Sequence, residues 1–321
     1  MLHRIVVLIA LALCAPLTSA QETWPSRPVK MVVPYPPGAL TDTLGRALVE
    51  RLSPALGQPI VVENRPGAGT LLAAEQVKNA PADGYTLMMV TSTTLGISPA
   101  LYKKPAIDPV KDFTPVSQIG FVDFFLIAAT SFPAKSVREM IDLIKANPGK
   151  YNYASVGSGS PHHLFMEVLK KDFGLDVRHV PYKGTMGALP DVINGNVQVM
   201  FADATVAVPQ IKAGKVNGLG TSSARQTALI PEVPPIARTV PGFDWQAWQG
   251  VAVAAGTPRA IVQRLNAEMQ KFQNTAEFRD LLGKFGMEPS PPNSAEQFAD
   301  VVKNDAARWA EAVRATGAKV D

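Results

Sequence analysis

Two stretches place small, amide-presenting residues between an apolar run and a helix-like repeat, and both could hold an anion. In the first, Val29, Met31, Val32 and Val33 read as a short buried strand, and Pro34 to Gly38 cannot continue it. Leu44, Leu48 and Leu52 then recur at four-residue spacing, so a helix opens just after Gly38, with Ala39 and Asp42 in its first turn. The first amides of a helix lack internal partners and sit at the positive end of its dipole, while a glycine lets a ligand approach the backbone. Such a loop suits a carboxylate or phosphate, although a plain sheet-to-helix turn has the same composition. In the second stretch, a strand from Tyr151 to Val156 leads into Gly157-Ser158-Gly159-Ser160-Pro161-His162-His163. There Ser160 can cap the next helix and Pro161 suits its first turn. Two such loops could close on one anion from opposite sides.

Other polar groups follow strands in the same way. The hydroxyls of Thr91-Ser92-Thr93-Thr94 could touch a polar ligand or cap the helix after them. Tyr182 offers a ring and a hydroxyl, Lys183 a positive charge that could equally be solvated, and Asp203 a carboxylate or a helix cap. A serine hydrolase built on Ser158 or Ser160, a histidine and Asp203 would need an activated nucleophile, and the chain has no Gly-x-Ser-x-Gly elbow. His162 and His163 are adjacent and so point to different helix faces, and no His-x-x-x-His pair exists. Neither a metal nor a cofactor is expected.

These loops need sheets and helices behind them. Ile60 to Val62, Tyr85 to Val90, Val177 to Val180 and Val197 to Phe201 read as further strands. Helices are expected from Thr70 to Asn79 with a threonine cap, from the capping box at Ser136, from Thr257-Pro258 through Phe272, and from the capping box at Ser294. The alternation implies parallel α/β sheets. Two extended apolar runs, Phe121 to Ala129 and Trp245 to Ala254, are expected to cross between two lobes. At the N-terminus, Arg4, the apolar run Ile5 to Ala15 and Thr18-Ser19-Ala20 read as a cleavable signal peptide over residues 1–20, too short to span a membrane. Cleavage removes Cys14, the single cysteine. An exported chain without disulfides must rely on its hydrophobic core. The formal charge of +4 loses only Arg4 with that peptide, and the basic residues form no run, so nucleic acid is not an expected partner.

Several motifs in order resemble one family. Trp24-Pro25-Ser26-Arg27-Pro28-Val29-Lys30 with the Val32 to Asp42 segment, Asn64-Arg65-Pro66-Gly67-Ala68-Gly69, Gly157 to Leu164, and Pro181-Tyr182-Lys183-Gly184 are similar to the Bug-type receptors. These are the solute-binding proteins of tripartite tricarboxylate transporters. Where that family usually has two glycines, this chain has Gly38-Ala39. The resemblance covers nearly the whole mature chain and implies a two-lobed periplasmic-binding-protein fold of the type II, Venus-flytrap kind. In it, two β-sheets flanked by helices are joined by two crossing strands, with lobe I at 21–122 and 247–321 and lobe II at 123–246. It further implies a periplasmic receptor without catalytic activity and a small carboxylate solute, whether a di- or tricarboxylate, an acidic amino acid or an aromatic acid. Membrane permease subunits are the implied partners and a monomer the implied state. The implied ligand-binding residues are Tyr35, Gly38, Ala39, Asp42, Ser92, Ser158, Gly159, Ser160, His163, Tyr182 and Asp203.

Overall fold

Strand β1 (Val29–Val33) buries Val29, Met31, Val32 and Val33 and exposes only Lys30, as suits an inner strand of a sheet. Helix α1 (Leu40–Leu56) presses Leu44, Leu48 and Leu52 onto it, and Gly57 at φ +75° ends the helix in the left-handed conformation. The chain then adds β2 (Ile60–Asn64), α2 (Leu71–Lys78), β3 (Thr86–Thr91), a π-turn over Thr93–Ile97, α3 (Ser98–Leu101), β4 (Phe113–Val122) and β5 (Phe124–Ala129). Next come α4 (Val137–Ala146), β6 (Asn152–Ser155), α5 (Pro161–Phe173), β7 (Arg178–Pro181), α6 (Thr185–Ile193), β8 (Val199–Asp203), α7 (Ala204–Lys212) and β9 (Val216–Thr221). The chain closes with β10 (Ala247–Ala254), α8 (Arg259–Gln273), α9 (Ala276–Lys284), β11 (Met287–Pro289) and α10 (Ala295–Thr316). This computed structural model describes residues 24–318 except Lys103 and Pro105, so the expected signal peptide lies outside the described residues.

The strands form two mixed sheets, ordered β11-β4-β10-β3-β1-β2 and β7-β6-β8-β5-β9. In each, the parallel strands are connected through helices, as parallel pairing requires, and the crossing segments add antiparallel strands. The run read as one strand from Phe121 to Ala129 is two: β4 ends at Val122 in the first sheet and β5 starts at Phe124 in the second, with Asp123 alone between them. Asp123 is buried, accepts a hydrogen bond from Thr227 Oγ1 at 2.8 Å, and its backbone carbonyl accepts from Ala204 N. The return passes Trp245, whose amide donates to Ser222, and enters β10 at Ala247.

Side-chain capping sets the starts of α4, α5, α9 and α10. Ser136 accepts from Glu139 N, and Ser294 and Gln297 form a reciprocal box. Two expected caps differ. Thr70 precedes α2 at φ +78° and makes no capping bond, and Thr257 donates back to Ala254 O while Pro258 fills the position before α8. Gly67 and Gly69 also lie at positive φ, so a local left-handed turn sets the Thr70 backbone rather than its hydroxyl.

Helix α10 ties the lobes together. It packs on β4 of the first sheet and on α5 of the second lobe, and its buried Trp309 lies 4.7 Å from Trp245 and 5.9 Å from Phe165 between ring centroids. Asp305 on this helix accepts from the indole nitrogens of Trp248 (2.7 Å) and Trp309 (3.1 Å). Burial pushes its carboxyl up to about 6 despite those two donors. A carboxyl whose native pKa exceeds its unfolded value stabilises the fold at low pH and loses that contribution as pH rises through the native value. Asp305→Asn keeps an oxygen for both indoles and removes the buried charge. We expect the variant to be more stable at pH 7, on the order of 2 kcal/mol by the size of such a shift, with the gain vanishing below about pH 4. Urea denaturation at both pH values checks this, and equal gains at the two would refute it.

Candidate functional site

The two sheets face each other across a cavity of about 870 Å³, and α1, α5, α6 and α7 all begin on its wall. The α1 loop keeps Gly38 at φ +81° and leaves Ala39 at the N-cap with no side-chain bond to the first-turn amides. Asp42 explains the loop's shape. Its carboxylate accepts from Gly38 N (2.8 Å), Asn64 Nδ2 (2.8 Å) and Arg46 Nε (3.0 Å). Burial would raise its pKa, but these donors outweigh burial and hold the carboxyl below its ordinary range. Neither Gly38 nor Asp42 lines the cavity, whereas Tyr35, Ala39, Leu40 and Thr41 do.

The α5 loop is held by its own side chains. Ser155 Oγ accepts from Gly157 N, Ser160 Oγ donates to Gly157 O at 2.7 Å, and Ser160 Oγ also accepts from His163 N. Gly159 N donates to Nδ1 of His163 at 3.1 Å, so that nitrogen is unprotonated. The His163 ring stacks 4.3 Å from His179, away from the cavity. Burial first, and the His179 ring second, lower its pKa to about 4. Ser158, Gly159 and Ser160 line the cavity, and the histidine on its wall is His162.

From the second lobe, α6 starts at Gly184, at φ +93° and without a side-chain cap. Tyr182 turns its hydroxyl to Asp191 at 2.6 Å and does not line the cavity, while Lys183, Gly184 and Thr185 do. Burial and the Asp191 carboxylate push the Tyr182 phenol up to about 12. Asp203 stands at the N-cap of α7 and lines the cavity; it makes no capping bond and accepts instead from the hydroxyls of Thr185 and Thr205.

Polar atoms without partners converge here. Thr70 Oγ1, Ser92 Oγ, Gln249 Oε1 and both ring nitrogens of His162 are buried with no hydrogen-bond partner among the described residues, and all four side chains line the cavity. Buried polar groups are normally satisfied, so a cluster of unsatisfied ones around a cavity marks where a solute or ordered water completes them. Of these, Thr70, His162 and Gln249 are absent from the residues expected on sequence. Gln249 had a signal, as the amide side chain in the otherwise apolar run Ala247-Trp248-Gln249-Gly250-Val251. Tyr35 forms part of the same wall, and burial raises its phenol while the hydroxyls of Thr91 and Thr93 oppose the rise.

Two α/β lobes around an interlobe cleft rimmed by helix N-termini are the build of a two-lobed solute-binding protein. The sequence matches the model of the tripartite tricarboxylate transporter family receptor over residues 44–318, and the chain belongs to that family. It is similar to protein BugT of Bordetella pertussis, 31% identical over 96% of this chain and 94% of that one. Among solved structures, an R. palustris protein with adipate aligns at a TM-score of 0.81 and 32% identity over 92% of this chain and all of that one. MatC from Rhodopseudomonas palustris with bound malate aligns at 0.77 and 34% identity over 90% of this chain and all of that one. No helix among the described residues is long and apolar enough to cross a membrane.

Proposed function

We propose that the protein is an extracytoplasmic receptor that binds a small carboxylate in the interlobe cleft and delivers it to membrane permease subunits of a tripartite tricarboxylate-type transporter. The observation that carries this reading is the meeting of helix N-termini from both lobes, those of α1 and α6 without side-chain caps, around unsatisfied polar side chains. Backbone amides at helix starts favour negative charge without a dedicated arginine. Relatives of similar fold hold adipate and malate, both carboxylates. The solute-contacting set would be Tyr35, Ala39, Thr41, Thr70, Ser92, the Ser158 to Ser160 loop, His162, Asp203 and Gln249. Gly38, Asp42, His163 and Tyr182 would shape the loops behind it. Residues 21–122 and 247–321 would form one lobe and 123–246 the other, in a monomer exported to the periplasm by residues 1–20.

The rival reading is a hydrolase. Ser160 spends its hydroxyl on Gly157 O, and the serine that pairs with a histidine, Ser155 with His179 Nε2 at 2.6 Å, does not line the cavity. Nucleophilic catalysis needs the pair at the substrate, so binding without turnover is the reading we adopt.

A ligand that binds only the folded state adds about 2.7 kcal/mol at a hundredfold excess over Kd. A thermal-shift panel of mono-, di- and tricarboxylates, acidic amino acids and aromatic acids should therefore raise the melting temperature by several degrees for at least one acid. Shifts confined to sugars or metal ions would overturn the proposal, and ester turnover would favour the rival.

A further inference from the structure

The loops before α1 and α5 are built on the same plan. In each, the residue before the N-cap is a glycine at positive φ, +81° for Gly38 and +80° for Gly159, whose amide donates to a side chain four residues on. In the first lobe the acceptor is the Asp42 carboxylate, at 2.8 Å; in the second it is Nδ1 of His163, at 3.1 Å. The two acceptors answer a proton differently. A protonated carboxyl still offers a carbonyl oxygen, whereas an imidazolium has two donors and no lone pair left for an amide. Only the second loop loses its clamp when its acceptor is protonated.

His163 does not act alone. Its ring stacks on His179, with centroids 4.3 Å apart, and His179 Nε2 lies 2.6 Å from Ser155 Oγ, which accepts from Gly157 N. The stacked pair therefore holds the loop at two points, Gly159 directly and Gly157 through Ser155. A hydroxyl can donate or accept, so the Ser155 bond survives a proton on His179, while the Gly159 bond does not survive one on Nδ1 of His163. Around the pair stand Glu167 and Lys170 from α5 and Tyr153 from β6, and β8 and α10 meet the same helix through Phe201 and Trp309 at Phe165. Glu167 Oε1 is 4.0 Å from His163 Nε2 but is already engaged by Lys170 Nζ at 2.6 Å and by the Tyr153 hydroxyl. Burial and the His179 ring outweigh it and keep His163 neutral, down at about 4. Asp203 acts on the adjacent His162.

We propose that His163 is a positioning residue and a proton-sensitive clamp on the second-lobe wall of the cleft. Neutral, with its proton on Nε2, it holds the Gly159 amide and so sets Ser158 and Ser160 at the cavity. Charged, it releases that amide, and the wall on which the solute rests comes loose. This rests on the receptor reading and adds to it a means of acid release. His179, half-buried and able to charge without breaking its bond to Ser155, shields the clamp by taking the first proton. Because the fold favours a neutral His163 ring, the contribution is complete above about pH 6.5 and is lost as pH falls toward 4. Solute affinity should hold to about pH 5 and then fall by up to about tenfold per unit below the native value.

The test begins on the free protein. Nitrogen NMR of the isotope-labelled mature protein at pH 7 should show His163 with its proton on Nε2 and a bare Nδ1. The Gly159 amide signal should move with that ring as pH falls toward 4, and should no longer do so in His163→Asn. A proton on Nδ1 at pH 7, or a Gly159 amide that ignores the ring, would overturn the clamp and leave the receptor reading untouched. Calorimetry with the carboxylates of the thermal-shift panel then reads the cleft. His163→Ala removes the acceptor and should weaken the acids that bind at pH 7 by about tenfold, and His163→Asn, whose Oδ1 stands near the place of Nδ1, should recover most of that loss. Relative to His163→Asn, the unaltered protein should lose about twofold in affinity by pH 4, a ratio from which the acid's own protonation cancels. Equal pH profiles for the two would refute acid release. Failure of every acid to bind the unaltered protein would instead sink the receptor reading, and the release step with it, whatever the ring shows. The tautomer and the Gly159 titration are read on the unaltered protein, so they decide the clamp even if a variant folds poorly.

Discussion

Replacing Gly159 by valine is expected to lower solute affinity by about a hundredfold, equivalent to about 2.7 kcal/mol, while the unliganded fold loses only about 1–2 kcal/mol to backbone strain at that position. Gly159 in the second lobe meets Leu101 of the first across the cleft, and both line the cavity. A β-carbon at 159 would lie 2.2 Å from Leu101 Cδ1 and 3.5 Å from its Cγ, and Leu101 is buried, so it has little room to withdraw. The residue also sits at φ +80°, which a branched side chain resists at a cost of about 1–2 kcal/mol. A solute that contacts both lobes can draw them together only by its differential affinity for the closed form, so any penalty on closure subtracts directly from binding. Adding Leu101→Ala removes the collision but not the backbone strain, and should restore part of the loss. Calorimetry, with thermal melts of the free protein as control, checks the pair. Binding by the single variant within about threefold of the unaltered protein would show that the lobes need not meet here.

How far the sequence could be read depended on whether a residue's role was local. The strand-loop-helix order around Gly38 and Gly159 was readable because apolar spacing, proline and glycine act within a few residues. The serine caps at 136, 160 and 294 likewise involve bonds three residues away. Which side chains face the cleft is a tertiary property. Asp42 looked like a ligand residue but turns toward Asn64 and Arg46, a partnership set by the register of β1 on β2, where Val33 pairs with Asn64. His162 and His163 differ by one helical step of about 100°, and only packing against Phe124 on one side and His179 on the other decides which lies on the cavity wall. Thr70 owes its place to the left-handed turn after Gly67, which side-chain chemistry does not announce. The division at Asp123 was hidden because the residues on either side of it, Phe121-Val122 and Phe124 to Ala129, are apolar, and a nearly continuous hydrophobic run does not show where one sheet ends and the next begins.

Asp42→Ala should be the most damaging substitution to the fold around the cleft, at about 3 kcal/mol. The carboxylate is almost wholly buried and joins three parts of the first lobe: Gly38 in the loop, Arg46 one turn along α1, and Asn64 at the end of β2. Asn64 in turn donates to the Tyr35 carbonyl at 2.9 Å, so the clasp extends to the cavity wall. Alanine leaves the Gly38 amide and one Asn64 donor without an acceptor, and an unmet donor costs more than the bond it replaces. The guanidinium of Arg46 is half exposed and can turn to water, so its share of the loss is small. Asparagine at this position is no rescue, because its amide would direct hydrogens at groups that are themselves donors. The pH dependence gives an independent check. A carboxyl held below its unfolded pKa contributes stability above that value and loses it as pH falls through the native one, so the deficit of Asp42→Ala should be full at pH 7 and shrink below about pH 4. Urea denaturation at pH 7 and pH 3 measures both, and a deficit under about 0.5 kcal/mol at pH 7 would mean that the loop holds its shape without this clasp.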